Sequence, residues 1–395
     1  MTARTRTRSI VAAGAVLALA LVGAAGAASA ETSPQVNSRS AALDQALAEL
    51  VAMPGGPPGA IAVVQVGEKV VVHTAGVSEV GSDRAPTAKD HMRVASVAKA
   101  FSGATALALV DAGTLSLDDT IGGLLPDEPD AWSAVTLRQL LNHTSGLPDF
   151  TLSPALQEAA FASLDVAPPP DQLLDFIADQ PLNFPPGSQY RYSNSDNIAV
   201  GLMIESATGR PYTESLRELV LHRLELTSTS LPAGVEIPEP ALHGYELDPP
   251  APPIDVTSFM AAGWSWASGG VVSTPADLNR FIRGYVGGEL FSPQTRAEQI
   301  DLFVPGGESG PPGPGLNSAS LSLFRYQTPC GEVYGHTGNT PGYTQFAAAS
   351  PDGTRSATVS INLARNADSE GWDAAALHAL QVAEAAAVCV ALDGS

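Results

Sequence analysis

Lysine is what this chain has least of among the common residues. Its 395 residues include three lysines, Lys69, Lys89 and Lys99. Lysine and arginine together number 20 against 41 acids, a formal charge of −21. A surface that acidic repels nucleic acid and anionic lipid, so neither is expected as a partner. The 7 histidines form no HExxH pair and no clustered ligand pattern, and neither a metal nor another cofactor is expected. No GK[ST] phosphate loop is present, which removes a common nucleotide-binding device. Outside the N-terminus no apolar run reads as long enough to span a bilayer. Cysteine is reduced to Cys330 and Cys389.

The N-terminus has its own composition. Arg4, Arg6 and Arg8 precede an apolar stretch from Ile10 to Val22, and Ala28-Ser29-Ala30 supplies small residues at a cleavage point. Residues 1–30 are therefore expected to be a signal peptide of Sec type, since no arginine pair is adjacent. The mature chain, secreted and extracellular, would start near Glu31. Removing three arginines and no acid leaves 17 basic residues against 41 acidic ones, a net −24. In an exported protein a Cys330–Cys389 disulfide is permitted and expected; two buried free thiols are the alternative, because sequence does not supply the Cα–Cα distance.

Hydrophobic periodicity predicts a helix over Ser40–Met53, then two short strands, Ala60–Val66 and Lys69–Thr74, joined through Gly67-Glu68. A helix starts near Ser96 and ends at Asp111-Ala112-Gly113. The middle reads as helices at Thr136–Asn142, Asp171–Ala178, Asn197–Ala207 and Tyr212–Arg223, joined by proline-rich connections. Asp277–Val286 is another helix, and Gly306–Gly315 is expected to be a mobile loop. Strands return at Glu332–His336, Tyr343–Ala348 and Ser356–Asn362, before a long apolar helix over Glu370–Leu392. This order implies an α/β (α+β) fold: one antiparallel sheet built from both chain ends, flanked by helices, with an inserted, mainly helical lobe. The sheet lobe would take about 31–95 and 265–395, and the helical lobe about 96–264.

Ser96-Val97-Ala98-Lys99 carries the chemistry. Residues i and i+3 of a helix share a face. Serine becomes a nucleophile only when a base takes its proton, and lysine can act as that base only when neutral. Ala98, Ala100 and Phe101 give Lys99 an apolar setting that favours the neutral amine. Ser96 near a helix N-terminus also places its own amide among free N–H groups, ready to stabilise an oxyanion. The bland alternative is a serine at a helix start beside a snorkelling lysine. In a chain this poor in lysine one chance SxxK is roughly a one-in-four event, so the motif needs company.

Tyr192-Ser193-Asn194 and His336-Thr337-Gly338 supply it. Ser-x-x-Lys, Tyr-x-Asn and His-Thr-Gly in this order resemble the serine penicillin-recognising family, in particular its secreted, class C-like D-alanyl-D-alanine carboxypeptidases. Leu137 to Leu147, Thr208-Gly209, Ser268-Gly269-Gly270 and Ser273 to Asp277 extend the resemblance. It implies Ser96 as the acylated nucleophile and Lys99 as base or relay. It implies Tyr192, helped by Asn194, as proton donor to the leaving amine and activator of the deacylating water. The backbone amides of Ser96 and Asn339 would form the oxyanion hole, and His336, Thr337 and Gly338 would receive the substrate's terminal carboxylate. A phenol suits proton transfer if a cation lowers its pKa, with Lys99 and His336 as candidates. His336, where lysine is usual, is a weaker, pH-dependent cation. Arg325 is a candidate carboxylate clamp.

Some readings stay open. Ser195-Asp196-Asn197 is a competing second motif, and Tyr190 a competing tyrosine. Gly263-Trp264-Ser265-Trp266-Ala267 only partly fits a nucleophile elbow and reads as a loop serine. Trp264 and Trp266 either line a cleft or pack the core. His143 is expected to order a loop. The expected function is a D-alanyl-D-alanine carboxypeptidase acting as a monomer on small peptidoglycan-type peptides and binding beta-lactams. An esterase or class C-like beta-lactamase with the same site, or a non-catalytic penicillin-binding module, are the alternatives.

Overall fold

A computed structural model describes residues 34–301, 303–306, 310–311, 317–364 and 374–393. The expected signal peptide lies outside the described residues, as do most of Gly306–Gly315 and the first residues of the predicted terminal helix.

Helix α1, Pro34–Ala52, leads through a proline- and glycine-rich turn into β1, Gly59–Val66, and β2, Lys69–Gly76. The hairpin closes from Val66 to Lys69, and Gly67 takes the positive φ of +56° that a two-residue turn requires. β1 is buried over its first six residues because it is apolar on both faces, whereas β2 exposes every second residue or so, as an edge strand does.

The other strands come from the far end of the chain: β3, Phe324–Thr328; β4, Gly331–Thr340; β5, Tyr343–Ala349; and β6, Arg355–Ile361. They pair antiparallel in the order β2-β1-β6-β5-β4-β3, continued by two-residue strands at Ser318–Ala319 and Val304–Pro305. Ala60 of β1 stands opposite Ile361 of β6, so the two ends of the chain share one sheet.

One face of the sheet carries α1 and the last helix, Ala374–Asp393. Leu43, Leu47 and Leu50 of α1 pack there with Leu380, Ala383, Ala387 and Ala391. That last helix is 20 residues long and apolar enough to cross a membrane by length and composition alone, which corrects the expectation that no segment outside the N-terminus reaches that size. Its apolarity is explained by this packing. Cys330, at the turn into β4, is disulfide-bonded to Cys389 of the same helix across a Cα–Cα distance of 5.2 Å.

The opposite face carries the helices that hold the site. They are α2, Ala98–Asp111, preceded by a 3₁₀ turn at Ala95–Val97; α3, Asn194–Thr208; and α4, Pro275–Gly287. The terminal helix Ala374–Asp393 is then α5. α2 is buried from Ala98 to Leu109, so its apolar run is that of a central helix, not of an amphipathic surface one. Thr144, Asn183 and their neighbours form loops between these helices. The helix predicted over Asp171–Ala178 is instead two 3₁₀ turns, Pro170–Gln172 and Asp175–Ile177. The short segment buries Leu173, Leu174 and Ile177 through these i+3 turns without completing an α-helix. Tyr212–Leu216 is α-helical but widens into a π turn over Arg217–Leu221.

Candidate active site

A cleft of about 810 Å³ opens where the Ala95–Val97 turn, the start of α3, β4 and one face of α5 meet. Ser96 sits on its floor. Ala95 has φ +50°, a left-handed conformation rare for a residue with a β-carbon, and it turns the chain sharply between the strand pair at Met92–Arg93 and α2. β4 passes directly beneath this turn. A Cβ on Gly338 would lie 2.4 Å from the Val94 carbonyl and 3.0 Å from the Ser96 amide nitrogen. Glycine therefore lets the strand approach the Ser96 backbone, and it sets Asn339, the next residue along, on the same cleft as Ser96.

Lys99 is fully buried one turn into the helical segment. Its Nζ is 2.7 Å from Asn194 Oδ1, 2.8 Å from the Ser268 carbonyl oxygen and 3.2 Å from Ser96 Oγ. Burial brings its pKa down to about 7, against the pull of Asp149 and Asp196 in the other direction. The first two partners can only accept, so a neutral Lys99 spends both N–H bonds on them and turns its lone pair to the serine hydroxyl.

Tyr192, in the extended lead-in to α3, and Asn194, the first residue of that helix, flank Ser193. They line the cleft, while Ser193 turns inward to donate to the Pro148 carbonyl. The Tyr192 hydroxyl is hydrogen-bonded to Ser96, and the Lys99 Nζ lies 4.9 Å from the centre of its ring. Burial raises the Tyr192 pKa well above 10, with the Ser96 hydrogen bond opposing it only in part. This corrects the expectation that neighbouring cations would lower it: at rest Tyr192 is a neutral phenol, a donor.

His336 is the second correction. It is 2% exposed, and burial pushes its pKa down to about 3, assisted by the charge of Lys99. Its Nδ1 donates to the Thr337 carbonyl, so the imidazole is neutral and offers Nε2 as an acceptor. Its ring packs against Phe324 and Tyr192, with centroids 5.0 and 6.5 Å apart. The expected pH-dependent cation is absent.

Arg325 is the third correction. Its neighbour Phe324 lines the cleft, but Arg325 does not: it stacks over Phe303 at 4.2 Å and pairs with Glu332 at 3.8 Å. These two contacts hold the guanidinium away from the cleft. No arginine or lysine is among the described residues lining the cleft.

The competing motif resolves as framework. Ser195 bonds the Pro148 carbonyl and the Phe150 amide, Asp196 bonds His143 and Ser145, and Asn197 bonds Ser102; all three are buried. His143 thereby holds the 143–149 loop to α3 and packs its ring 4.5 Å from that of Tyr192. Burial keeps it neutral, with its pKa pushed down to about 3. Tyr190 lines the cleft beside Tyr192, but the hydrogen bond to Ser96 belongs to Tyr192. Trp264 and Trp266 are core residues, the first bonded to the Ser163 carbonyl and the second edge-on to Tyr212. Ser265 lies on the cleft wall, and its carbonyl accepts from Ser268.

Two acidic side chains of the cleft escaped sequence reasoning. Asp149 Oδ2 accepts from the Asn194 side-chain amide at 2.8 Å and from its backbone at 3.2 Å, while Oδ1 accepts from Thr151. It therefore fixes which end of the Asn194 amide faces Lys99. Glu384 enters from α5. Its signal was visible: it is the one acid between residues 374 and 392, in a helix otherwise rich in alanine, leucine and valine.

The family model described as Beta-lactamase matches residues 43–381. A D-stereospecific amidohydrolase from Streptomyces sp. superposes with a TM-score of 0.72 at 31% identity, over 82% of this chain and 94% of that one. The D-alanyl-D-alanine-carboxypeptidase/endopeptidase AmpH of Escherichia coli (strain K12) is 27% identical over 255 residues, 63% of each chain. Penicillin-binding protein 4 of Amycolatopsis lactamdurans is 30% identical over 285 residues, 68% of this chain and 65% of its own. The chain thus spans just under two thirds of the length of these two relatives. Because the family match runs from α1 through the Ser96 turn, α3 and the His336 strand into α5, the chain belongs to the beta-lactamase family.

Proposed function

We propose that the chain is an exported acyl-enzyme hydrolase of D-aminoacyl peptide and amide bonds of the peptidoglycan-stem kind, with Ser96 as nucleophile. The observation that carries the reading is the Lys99 amine, buried, with two acceptor-only partners and its third direction on Ser96 Oγ. The names of the relatives support D-configured peptides and amides as the substrate class, and the Cys330–Cys389 bridge supports an oxidising compartment and hence the leader at 1–30.

In the first step Ser96 Oγ bonds the scissile carbonyl carbon and its proton passes to Lys99 Nζ. The oxyanion is held by the backbone amides of Ser96 and Asn339; one such donor is worth about 3–4 kcal/mol in the transition state. The C–N bond then breaks as the leaving nitrogen takes the Tyr192 hydroxyl proton, which Lys99 replaces. In the second step neutral Lys99 takes a proton from water, whose oxygen bonds the acyl carbon while the ester C–O bond breaks and Ser96 recovers its hydrogen. Lys99, not a standing phenolate, is the base in both halves. Asn194 positions Lys99, and His336, Thr337 and Gly338 form the strand wall of the site.

Carboxypeptidase, amidase, esterase and beta-lactamase turnover all use this set. The test is labelling with a fluorescent penicillin followed by intact mass, then turnover of a D-Ala-D-Ala peptide, a D-alanyl amide, a p-nitrophenyl ester and a cephalosporin. The expected result is an adduct on wild type that Ser96→Ala abolishes, with peptide or amide as preferred substrate. An adduct surviving Ser96→Ala overturns the mechanism; a preference for the cephalosporin overturns the substrate class.

A further inference from the structure

α5 presents Leu377, Leu380, Gln381 and Glu384 to the cleft, a spacing of three, four and seven that puts them on one helical face. Glu384 is 3% exposed, and its Oε2 has no hydrogen-bond partner among the described residues. A carboxyl removed from water without a partner opposes folding, and the neighbouring positions are filled by alanine, leucine and valine. Among the described residues its surroundings offer no cation. Arg39 of α1 and Arg355 of β6 bind farther along α5, at Cys389 and Asp393 and at the Ala391 and Leu392 carbonyls. Asp44 of α1 is engaged with His73, and His336 of β4 is neutral. Tyr326 of β3 lies in its field as a neutral phenol, its pKa raised by burial.

The position of Glu384 follows the path of a leaving group. A leaving nitrogen protonated by Tyr192 lies against that ring. From there the cleft lining runs past the His336 and Phe324 rings to Leu380 and Glu384 of α5. A leaving group extended along this wall points toward Glu384.

We propose that Glu384 is the specificity-determining residue at the leaving-group end of the cleft, and that it selects leaving groups ending in a hydrogen-bond donor, a carboxamide or an amine, over those ending in a free carboxylate. The inference rests on the Ser96 acyl-enzyme reading. A protonated Glu384 can donate one hydrogen bond and tolerates either kind of end. An ionised Glu384 only accepts, and repels a carboxylate. Burial raises its pKa to about 8, so the selection strengthens as pH rises through that value.

The test compares N-acetyl-D-alanyl-D-alanine with its C-terminal carboxamide, as kcat/KM on the full mature chain at pH 6 and pH 9. Lys99 titrates identically for both, so its ionisation cancels in the ratio. The expected amide-to-acid ratio rises by about tenfold or more between the two pH values, the size of one close charge contact. Glu384→Gln flattens that rise, mainly through the KM of the acid. A ratio independent of pH in wild type overturns the proposal, and so does a rise that Glu384→Gln leaves unchanged. If Glu384→Gln does not fold, the wild-type ratio decides alone. Labelling of Ser96 by an uncharged fluorophosphonate separates the two ideas: its loss speaks against the nucleophile, whereas intact labelling with a flat ratio speaks against Glu384.

Discussion

Replacing Asp149 by asparagine removes one charge from the surroundings of Lys99 and leaves the shape of the site almost unchanged. The asparagine oxygen can still accept from Asn194, so the amide that faces Lys99 keeps its orientation. What disappears is the carboxylate that favours the ammonium form. The two hydrogen bonds of 2.7 and 2.8 Å on either side of the Asn194 amide place the charges roughly 7 Å apart. At an effective dielectric of about 20 that interaction is worth roughly 2 kcal/mol, or about one to one and a half pH units. In wild type, with the Lys99 pKa at about 7, half the molecules hold a neutral base at pH 7. A lysine at its ordinary value would be neutral in roughly one molecule in 3,000. The sign is fixed: losing a neighbouring anion destabilises the ammonium, so the pKa falls and the base is free at lower pH. The assay is the second-order rate of Ser96 acylation by an uncharged p-nitrophenyl ester between pH 5 and 9. Asp149→Asn should move the acid limb from near 7 to near 6 or below, with the plateau rate changed much less. A limb that stays at 7, or moves upward, refutes Lys99 as the group that titrates.

Two further outcomes follow from the packing. Gly338→Ala places a methyl 2.4 Å from the Val94 carbonyl and forces β4 away from the nucleophile; acylation should fall by about 100-fold or more, the scale of losing an oxyanion donor, while circular dichroism stays that of wild type. Replacing Cys330 and Cys389 together by serine opens a crosslink between positions 59 residues apart; chain entropy then predicts a loss of about 4 kcal/mol, read as a lowered Tm with the acylation rate at 25 °C largely kept.

The parts of the site that sequence made visible are those whose geometry is local. Ser96 and Lys99 are a helical turn apart, so spacing alone put them on one face. Tyr192, Asn194, Gly338 and Asn339 came from the resemblance to the penicillin-recognising family. Arg325 failed on reach: the register of β3 against β4 sets it opposite Tyr334, two residues short of His336, where Phe303 and Glu332 hold it, and no sequence pattern states that register. His336 failed on burial, since a histidine in a motif says nothing of how much solvent reaches it. Asp149 owes its role to a contact with Asn194, 45 positions away. Glu384 is the instructive omission. The reasoning that made Lys99 conspicuous, an ionisable group in an apolar helix, applies to it equally. For the fold, alternation and apolar runs located the strands and the long helices, whereas the short 170–178 segment folds as two 3₁₀ turns, a difference in local winding that apolar spacing does not distinguish.

The antiparallel pairing of β1 with β6 governs the order in which the molecule can be assembled. As the chain emerges, β1 and β2 can form only an isolated hairpin, which is marginal in water. The inner edge of β1, apolar on both faces, stays unpaired until Arg355–Ile361 arrives. The helices between residues 98 and 287 can collapse around their own core in the meantime, but the sheet closes last and over a long loop, which slows folding. A chain cut short before residue 355 is therefore not a smaller version of this protein. It is a helical core attached to a sticky ribbon, and its expected fate is edge-to-edge aggregation.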